Sequence, residues 1–132
     1  MPGILFLCVH NAGRSQMAAG FARRHEGVRV YSGGSEPADS VNPVAVSAMA
    51  EVGIDISGYV PARFTDEVLQ DVDVVVTMGC GDACPFVPGK RYIDWPLDDP
   101  KGRGIEDVRR IRDEIDALVD DLVAGLPGGA SA

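Results

Sequence analysis

The chain has 132 residues, of which 45% are hydrophobic and 24% charged, and this composition is typical of a single globular domain. Its 20 acidic and 12 basic residues give a net charge of −8, which argues against nucleic acid or an anionic membrane as a partner. The amino-terminal apolar run is short and lacks a preceding basic region, so we expect no secretory signal and a cytoplasmic protein. Three cysteines, an odd number, argue against a framework of structural disulfides.

The first third of the chain alternates between strand and helix patterns. The continuous apolar run at residues 4–9 predicts a buried strand, and residues 28–32 predict a second one. Residues 15–25 predict a helix between them. The apolar face of that helix is expected to carry Met17, Ala18, Phe21 and Ala22.

The rest of the chain continues this alternation. Further helices are predicted over residues 43–52, 65–69 and 105–126, and further strands over residues 72–78 and 92–95. Asn42 and Thr65 are the predicted amino-terminal caps of the first two of these helices. Alternating strands and helices predict an α/β fold, a three-layer sandwich around a four-stranded parallel sheet. We expect one catalytic domain over residues 1–126 and a disordered tail over residues 127–132.

The candidate site begins where the first strand meets the first helix. There the sequence CVHNAGRS places Cys8 at a strand end and Arg14 at a helix start, with five residues between them. Successive backbone amides of such a loop can surround an anion, and the helix amino terminus adds unpaired N–H groups. Arg14 can hold two oxygens of an oxyanion, and the same positive surroundings favour the thiolate of Cys8. The loop therefore predicts nucleophilic attack by Cys8 on a bound tetrahedral oxyanion.

The remaining loop residues have supporting roles in this prediction. Asn11 tolerates a left-handed backbone, and Gly13 tolerates unusual dihedral angles. The hydroxyl of Ser15 is expected to donate to the thiolate, whereas His10 is expected at the rim of the site, with a role as base the minority alternative. The predicted oxyanion-binding residues are Val9, His10, Asn11, Ala12, Gly13, Arg14 and Ser15.

The segment LFLCVHNAGRSQMAAGF resembles the anion loop of the low-molecular-weight protein tyrosine phosphatase superfamily, and CVHNAGRSQMA resembles its arsenate reductase branch. The likeness continues through YSGGSEP, TMGCGDACPFVPG and DWPLDDPKG, so it covers most of the chain. The resemblance implies a four-stranded parallel sheet flanked by helices. It also implies arsenate as the substrate, and we expect no cofactor. Some relatives bind potassium near the loop, and Asn11, Ser32 and Asp55 match their ligands. Ala19, however, stands where those relatives have an acidic residue, so we expect no resident metal.

The resemblance further implies a general acid in an Asp-Pro motif, which here is Asp99 before Pro100. Such a carboxylic acid protonates the oxygen that leaves when the thiolate attacks. Asp98 is the neighbouring alternative. Tyrosine phosphatases of this family usually have an aromatic residue after Asp-Pro, whereas Lys101 and Gly102 follow here, which favours a small inorganic oxyanion.

The other two cysteines suggest redox chemistry. The thioredoxin-coupled branch implies a relay in which Cys80 attacks Cys8 and Cys84 then attacks Cys80, passing the disulfide to thioredoxin. The C-x3-C spacing here is shorter than in those enzymes. A related branch instead joins arsenate to mycothiol, with a mycoredoxin completing the reduction, which would make Cys80 and Cys84 spectators or a protective pair. Two alternatives remain for Cys80 and Cys84. They are either a pair of small buried side chains or part of a zinc site, which would need two further ligands.

The residues and the resemblance together predict an arsenate reductase that uses Cys8, Arg14 and Asp99. The second thiol is either Cys80, with Cys84 completing an internal relay to thioredoxin, or an external thiol, as in an arsenate-mycothiol transferase. A low-molecular-weight protein tyrosine phosphatase with the same three residues is the main alternative, because arsenate and phosphate have nearly the same shape. A non-catalytic oxyanion-binding protein is the third.

Overall fold

A computed structural model describes residues 1–79 and 88–126 of the chain. Strands and helices alternate along it, in the order β1 (Gly3–Cys8), α1 (Arg14–Ala22), β2 (Arg29–Gly34), α2 (Pro43–Ala50), α3 (Asp66–Asp71), β3 (Val74–Thr77), β4 (Arg91–Asp94) and α4 (Ile105–Ala124). The strands form one parallel sheet in the order β2-β1-β3-β4. The α/β fold class and the four-stranded parallel sheet predicted from the sequence are thus confirmed.

Strand β1 lies inside the sheet and is buried along its whole length. Because successive side chains of a strand point to opposite faces, Ile4, Phe6 and Cys8 belong to one core, whereas Leu5 and Leu7 belong to another. The larger core holds α1, α2 and α4, and the smaller one holds α3. Helices therefore cover both faces of the sheet, as in the predicted three-layer sandwich, and Cys8 faces the layer that contains α1.

Helix α1 spans Arg14–Ala22 rather than the predicted residues 15–25, and the residues predicted on its apolar face are all buried. The rest of the helix is buried as well, including Arg14, Ser15 and Gln16. The helix packs against the sheet and against α4, and Asn11 and Gly13 of the loop before it are buried too. The polar side chains of its first turn are therefore buried, and they belong to the site described below.

Other predicted boundaries differ by a few residues. Strand β2 ends at Gly34 rather than at residue 32, because Gly33 and Gly34 pair with the last residues of β1. Asn42 caps α2 as predicted, and its side-chain oxygen accepts from the amides of Val44 and Ala45, at 2.9 and 3.3 Å. Thr65 likewise caps α3. Among the described residues, no helix is long and apolar enough to cross a membrane.

Helices α2 and α4 are tied together at Glu51, which follows α2. Arg109 and Arg112 of α4 bind its carboxylate at 2.6 and 2.8 Å. The Arg112 guanidinium, which is nearly buried, also donates to the carbonyl of Ala48 at 2.9 Å. The hydrogen bond from Arg109, with further help from Arg112, lowers the pKa of Glu51 to about 2.

This shift makes part of the stability dependent on pH. Since the folded-state pKa of Glu51 lies below its ordinary value, the stabilisation is present above about pH 4.5 and is lost as the pH falls towards 2. We expect Glu51→Gln to lower the free energy of unfolding at neutral pH, and its difference from wild type to shrink as the solution is acidified. Urea denaturation across this range measures the difference. The exposed Glu26→Gln is the control, and an equal effect of both changes would contradict the assignment.

Candidate active site

The Cys8 side chain is 2% exposed, and its sulfur has one polar neighbour close by in the described structure. The hydroxyl oxygen of Ser15 lies 2.9 Å from Sγ, so the contact expected between these residues is present. That hydroxyl already accepts from Nδ2 of Asn11 at 2.7 Å. Its own proton therefore remains available to the sulfur, which is the arrangement that stabilises a thiolate.

The loop from Val9 to Gly13 turns its carbonyl groups away from the site. These carbonyls accept from donors elsewhere, at 2.8 to 3.1 Å: Glu36 N for Val9, Ala38 N for His10, Gln16 Nε2 for Asn11, Asn42 N for Ala12 and Met17 N for Gly13. By contrast, none of the amides from His10 to Arg14 donates to another group among the described residues. Buried amides without partners are costly in a folded protein, so this loop is arranged as a site for an anion.

Asn11 gives the loop its shape. Its φ of 50° is the only positive value among the described residues other than glycine. Its side-chain oxygen accepts from the amide of Ala62 at 3.0 Å and from Gln16 at 3.2 Å. The left-handed backbone expected of Asn11 is therefore present, and contacts from two other segments hold it in place.

Arg14, the first residue of α1, is 7% exposed and closes the loop. One Nη donates to the carbonyl of Leu97 at 3.4 Å, and the other lies 3.5 Å from the carboxylate of Asp99. Its Nε is buried and has no partner among the described residues. A guanidinium with unused donors next to free amides is suited to bind two oxygens of a tetrahedral anion.

Two glycines make room for this arrangement. A side chain at Gly13 would begin 2.6 Å from the ring of Pro100, so only glycine lets the Asp-Pro turn approach the loop. Gly79 has a φ of 91°, and a side chain there would overlap the guanidinium of Arg14. Gly79 thus combines a left-handed backbone with close contact to the arginine.

The structure separates the two candidate acids. Asp99 lines the same cavity as Cys8 and Arg14, and its side chain is 46% exposed. One of its oxygens accepts from the amide of Lys101 at 3.0 Å, which fixes the turn. Asp98 instead binds Arg110 of α4 at 3.0 Å and does not line the cavity. Only Asp99 is therefore placed to reach a group bound above Cys8.

The cavity has a volume of about 710 Å³ and lies beyond the carboxyl end of β1. Besides the anion loop and Asp99, its lining includes Pro37, Ala38, Val44, Lys101 and Arg103. His10 also lines the cavity, and its Nδ1 lies 3.0 Å from the carbonyl of Glu36. Because a carbonyl only accepts, Nδ1 is the donor, and His10 occupies the rim position that the sequence suggested.

Some predicted site residues are not covered, and others were missed. Cys80, Cys84 and the predicted tail of residues 127–132 lie outside the described residues. Sequence reasoning missed Gln16 and Gly79. A glutamine directly after the anion-loop serine, inside an otherwise apolar helix, was the available signal for Gln16. The signal for Gly79 was a glycine at the end of a buried strand.

The sequence matches one family of proteins over nearly its whole length. The family model "Low molecular weight phosphotyrosine protein phosphatase" matches residues 3–129. A putative arsenate reductase from Halobacterium salinarum is 41% identical over 124 residues, covering 89% of this chain and 87% of that protein.

Solved structures of other proteins have a similar fold. A thioredoxin-dependent arsenate reductase from Corynebacterium glutamicum superposes with a TM-score of 0.79 at 41% identity. The alignment covers 92% of this chain but 60% of that protein, so the chain spans about three fifths of its length. An arginine phosphatase from Geobacillus stearothermophilus also superposes with a TM-score of 0.79, at 27% identity, covering 92% of this chain and 90% of that one.

Proposed function

Because the chain belongs to the low molecular weight phosphotyrosine protein phosphatase family, we propose that it is an arsenate reductase in which Cys8 attacks the arsenic of bound arsenate. The observation that carries the proposal is the loop over Cys8, with its carbonyls bonded outward and its amides from His10 to Arg14 unpaired. Several relatives named arsenate reductases are about as similar as the Halobacterium protein, which supports arsenate rather than a phosphate ester as substrate.

The first half of the reaction uses the residues around the loop. Arsenate binds with its oxygens on the loop amides and on the guanidinium of Arg14. The Cys8 thiolate, stabilised by Ser15, attacks arsenic and forms a sulfur–arsenic bond. One arsenic–oxygen bond breaks, and Asp99 gives its proton to the departing oxygen, which leaves as water.

The second half needs another thiol. In the internal relay, Cys80 attacks the sulfur of Cys8, the sulfur–arsenic bond breaks, and its electron pair stays with arsenic. As(V) thereby becomes As(III) and leaves as arsenite, while Cys8 and Cys80 are oxidised to a disulfide. Cys84 then attacks Cys80, and thioredoxin reduces the resulting disulfide. The similarity to a thioredoxin-dependent enzyme favours this route.

The alternative route uses mycothiol. Its thiol attacks arsenic and displaces the Cys8 thiolate, which leaves As(V) bound to the mycothiol sulfur. A thiol of a mycoredoxin then attacks that sulfur, the sulfur–arsenic bond breaks with its electron pair on arsenic, and arsenite leaves while mycothiol and mycoredoxin form a mixed disulfide. An assay of arsenite formation on wild type and on Cys80→Ala, run separately with thioredoxin and with mycothiol plus mycoredoxin, decides between the routes. Loss of activity with thioredoxin in Cys80→Ala supports the relay, and full activity of that variant with thioredoxin alone rules it out. Both routes place the enzyme in the reducing cytoplasm.

A phosphatase is the second candidate, and it is favoured by the similarity to an arginine phosphatase. Lys101 and Gly102 argue against a tyrosine phosphatase in particular, because they follow the Asp-Pro motif where an aromatic ring would support a phenyl group. Arsenate reduction and hydrolysis of p-nitrophenyl phosphate should be measured on the same protein. Arsenite formation with little hydrolysis supports the reductase, whereas hydrolysis far faster than arsenate reduction would overturn it.

Asp99 and Asp98 form a matched pair for testing the acid. We expect Asp99→Asn to lower kcat for arsenite formation by about a hundredfold, because positioned general acids contribute roughly 10²- to 10⁴-fold. Asp98→Asn removes the same charge one residue away but loses only a contact with exposed Arg110, so its kcat should stay close to that of wild type. Equal losses in the two variants would remove Asp99 from this role.

A further inference from the structure

Gln16 is an unusual residue for its position. It lies in the first turn of α1, and its side chain is 1% exposed. Its Nε2 group donates to two oxygens of the same residue, the backbone carbonyl of Asn11 at 3.1 Å and the side-chain oxygen of Asn11 at 3.2 Å. Both partners only accept, so the amide must turn its NH₂ group towards Asn11.

These contacts fix Asn11 in two ways. Asn11 has a left-handed backbone, which most residues avoid and asparagine tolerates, and the bond from Gln16 to the Asn11 carbonyl holds the peptide in that conformation. The bond to Oδ1, together with the amide of Ala62, determines which end of the Asn11 side chain faces which neighbour. With donors on Oδ1, the Nδ2 group is left to face Ser15.

The orientation of Asn11 then reaches the nucleophile. Nδ2 of Asn11 donates to the hydroxyl of Ser15 at 2.7 Å, which directs the proton of that hydroxyl to Cys8, 2.9 Å away. Were the Asn11 amide reversed, its oxygen would compete with Cys8 for the same proton. The donor group of Gln16 is thus connected to the sulfur through Asn11 and Ser15.

The other end of Gln16 argues against a purely structural role. Its Oε1 is buried and has no hydrogen-bond partner among the described residues. A buried acceptor without a donor costs stability, so an apolar side chain of similar size would serve the core at least as well. This cost points to a role for the donor group of Gln16 in the site.

From this geometry we propose that Gln16 is a positioning residue, which holds Asn11 so that Ser15 donates its proton to Cys8. The inference deepens the proposed function, since it concerns the reactivity of the same sulfur. It assigns no contact with substrate to Gln16.

The test uses two variants of Gln16 and a control. Gln16→Met keeps a similar volume but removes the donor, and Gln16→Glu keeps the shape but places a carboxylate against two acceptors. Gln70→Met changes the same residue type on the exposed side of α3. The rate of Cys8 alkylation by iodoacetamide at neutral pH is followed by mass spectrometry of the tryptic peptide ending at Arg14, which separates Cys8 from Cys80 and Cys84.

We expect alkylation of Cys8 to slow about tenfold in Gln16→Met and by more in Gln16→Glu. The reason is that the Ser15 hydroxyl would no longer be held in position, and a displacement of about 1 Å in a reacting site can lower the rate by up to about a hundredfold. The kcat for arsenite formation should fall with it, and Gln70→Met should match wild type in both. The thermal midpoint of Gln16→Met should stay within about 4 °C of wild type. Unchanged alkylation in Gln16→Met, or a slowing matched by Gln70→Met, would overturn the inference.

This design separates the inference from the proposed function. Slower alkylation in the Gln16 variants of a protein that does not reduce arsenate would sink the proposed function and keep the role of Gln16. Normal arsenate reduction by the wild type, with alkylation of Cys8 unchanged in the Gln16 variants, would keep the proposed function and overturn the role of Gln16. Gln16→Glu serves as the second variant should Gln16→Met fold poorly, and its alkylation rate is compared with that of wild type in the same way.

Discussion

Replacement of Cys8 by serine is expected to abolish arsenite formation. The hydroxyl oxygen is a far weaker nucleophile than a thiolate at neutral pH, and it cannot form the disulfide whose formation supplies the two electrons that reduce arsenic. The loss should exceed about 10⁴-fold, as for removal of other covalent nucleophiles. The assay is arsenite formation with each of the two reductant systems described above.

The same variant separates an enzyme from a binding protein. Serine is close to cysteine in size, so the amide loop and Arg14 should still bind arsenate or phosphate, which isothermal titration calorimetry measures. Retained binding with lost turnover is the expected outcome. Binding unchanged by the substitution, in a wild-type protein that shows no turnover at all, would instead favour the non-catalytic oxyanion binder and contradict the proposed enzyme.

Replacement of Arg14 by lysine is expected to produce the second large loss. Lysine keeps the positive charge but lacks the planar group that donates to two oxygens at once, and it cannot reach Leu97 and Asp99 together. We expect kcat/KM for arsenate to fall by about 10²- to 10³-fold, the usual effect of losing a donor to the developing charge. Steady-state kinetics over a range of arsenate concentrations measures this.

Arg24→Lys is the matched control for this prediction. Arg24 also lies 3.5 Å from a carboxylate, that of Asp116, but it is exposed and does not line the cavity above Cys8. Its replacement should leave kcat/KM nearly unchanged. Arsenate kinetics of Arg14→Lys indistinguishable from those of Arg24→Lys would show that the guanidinium geometry is irrelevant to the reaction.

The architecture was largely predictable because hydrophobic patterns reflect burial directly. The apolar runs of β1 and β3 lie inside a parallel sheet, and the caps at Asn42 and Thr65 use side-chain oxygens whose preference is local. The resemblance to the family is confirmed by the family match. Boundaries were less exact, since pairing with β1 extends β2 through glycines that have no strand preference of their own.

The site was predictable only where chemistry is carried by residue type. Cys8 and Arg14 stand out because a thiol and a guanidinium at that spacing suit an oxyanion, and the structure brings them together in one cavity. The sequence alone does not show which of the adjacent residues Asp98 and Asp99 faces Cys8. In the structure Asp98 instead binds Arg110 of α4, a contact that only the folded chain provides. Gln16 was missed because its partners become neighbours only when Asn11 adopts a left-handed backbone.

The central claim is that free amides and the guanidinium of Arg14 form a binding site for a tetrahedral oxyanion directly above the sulfur of Cys8. A crystal structure of the Cys8→Ser variant with arsenate tests it most directly. The account predicts arsenic density in the loop, with oxygens accepting from amides between His10 and Arg14 and from the guanidinium. Arsenate bound only at Lys101 and Arg103, or a loop without any anion at saturating arsenate, would contradict it.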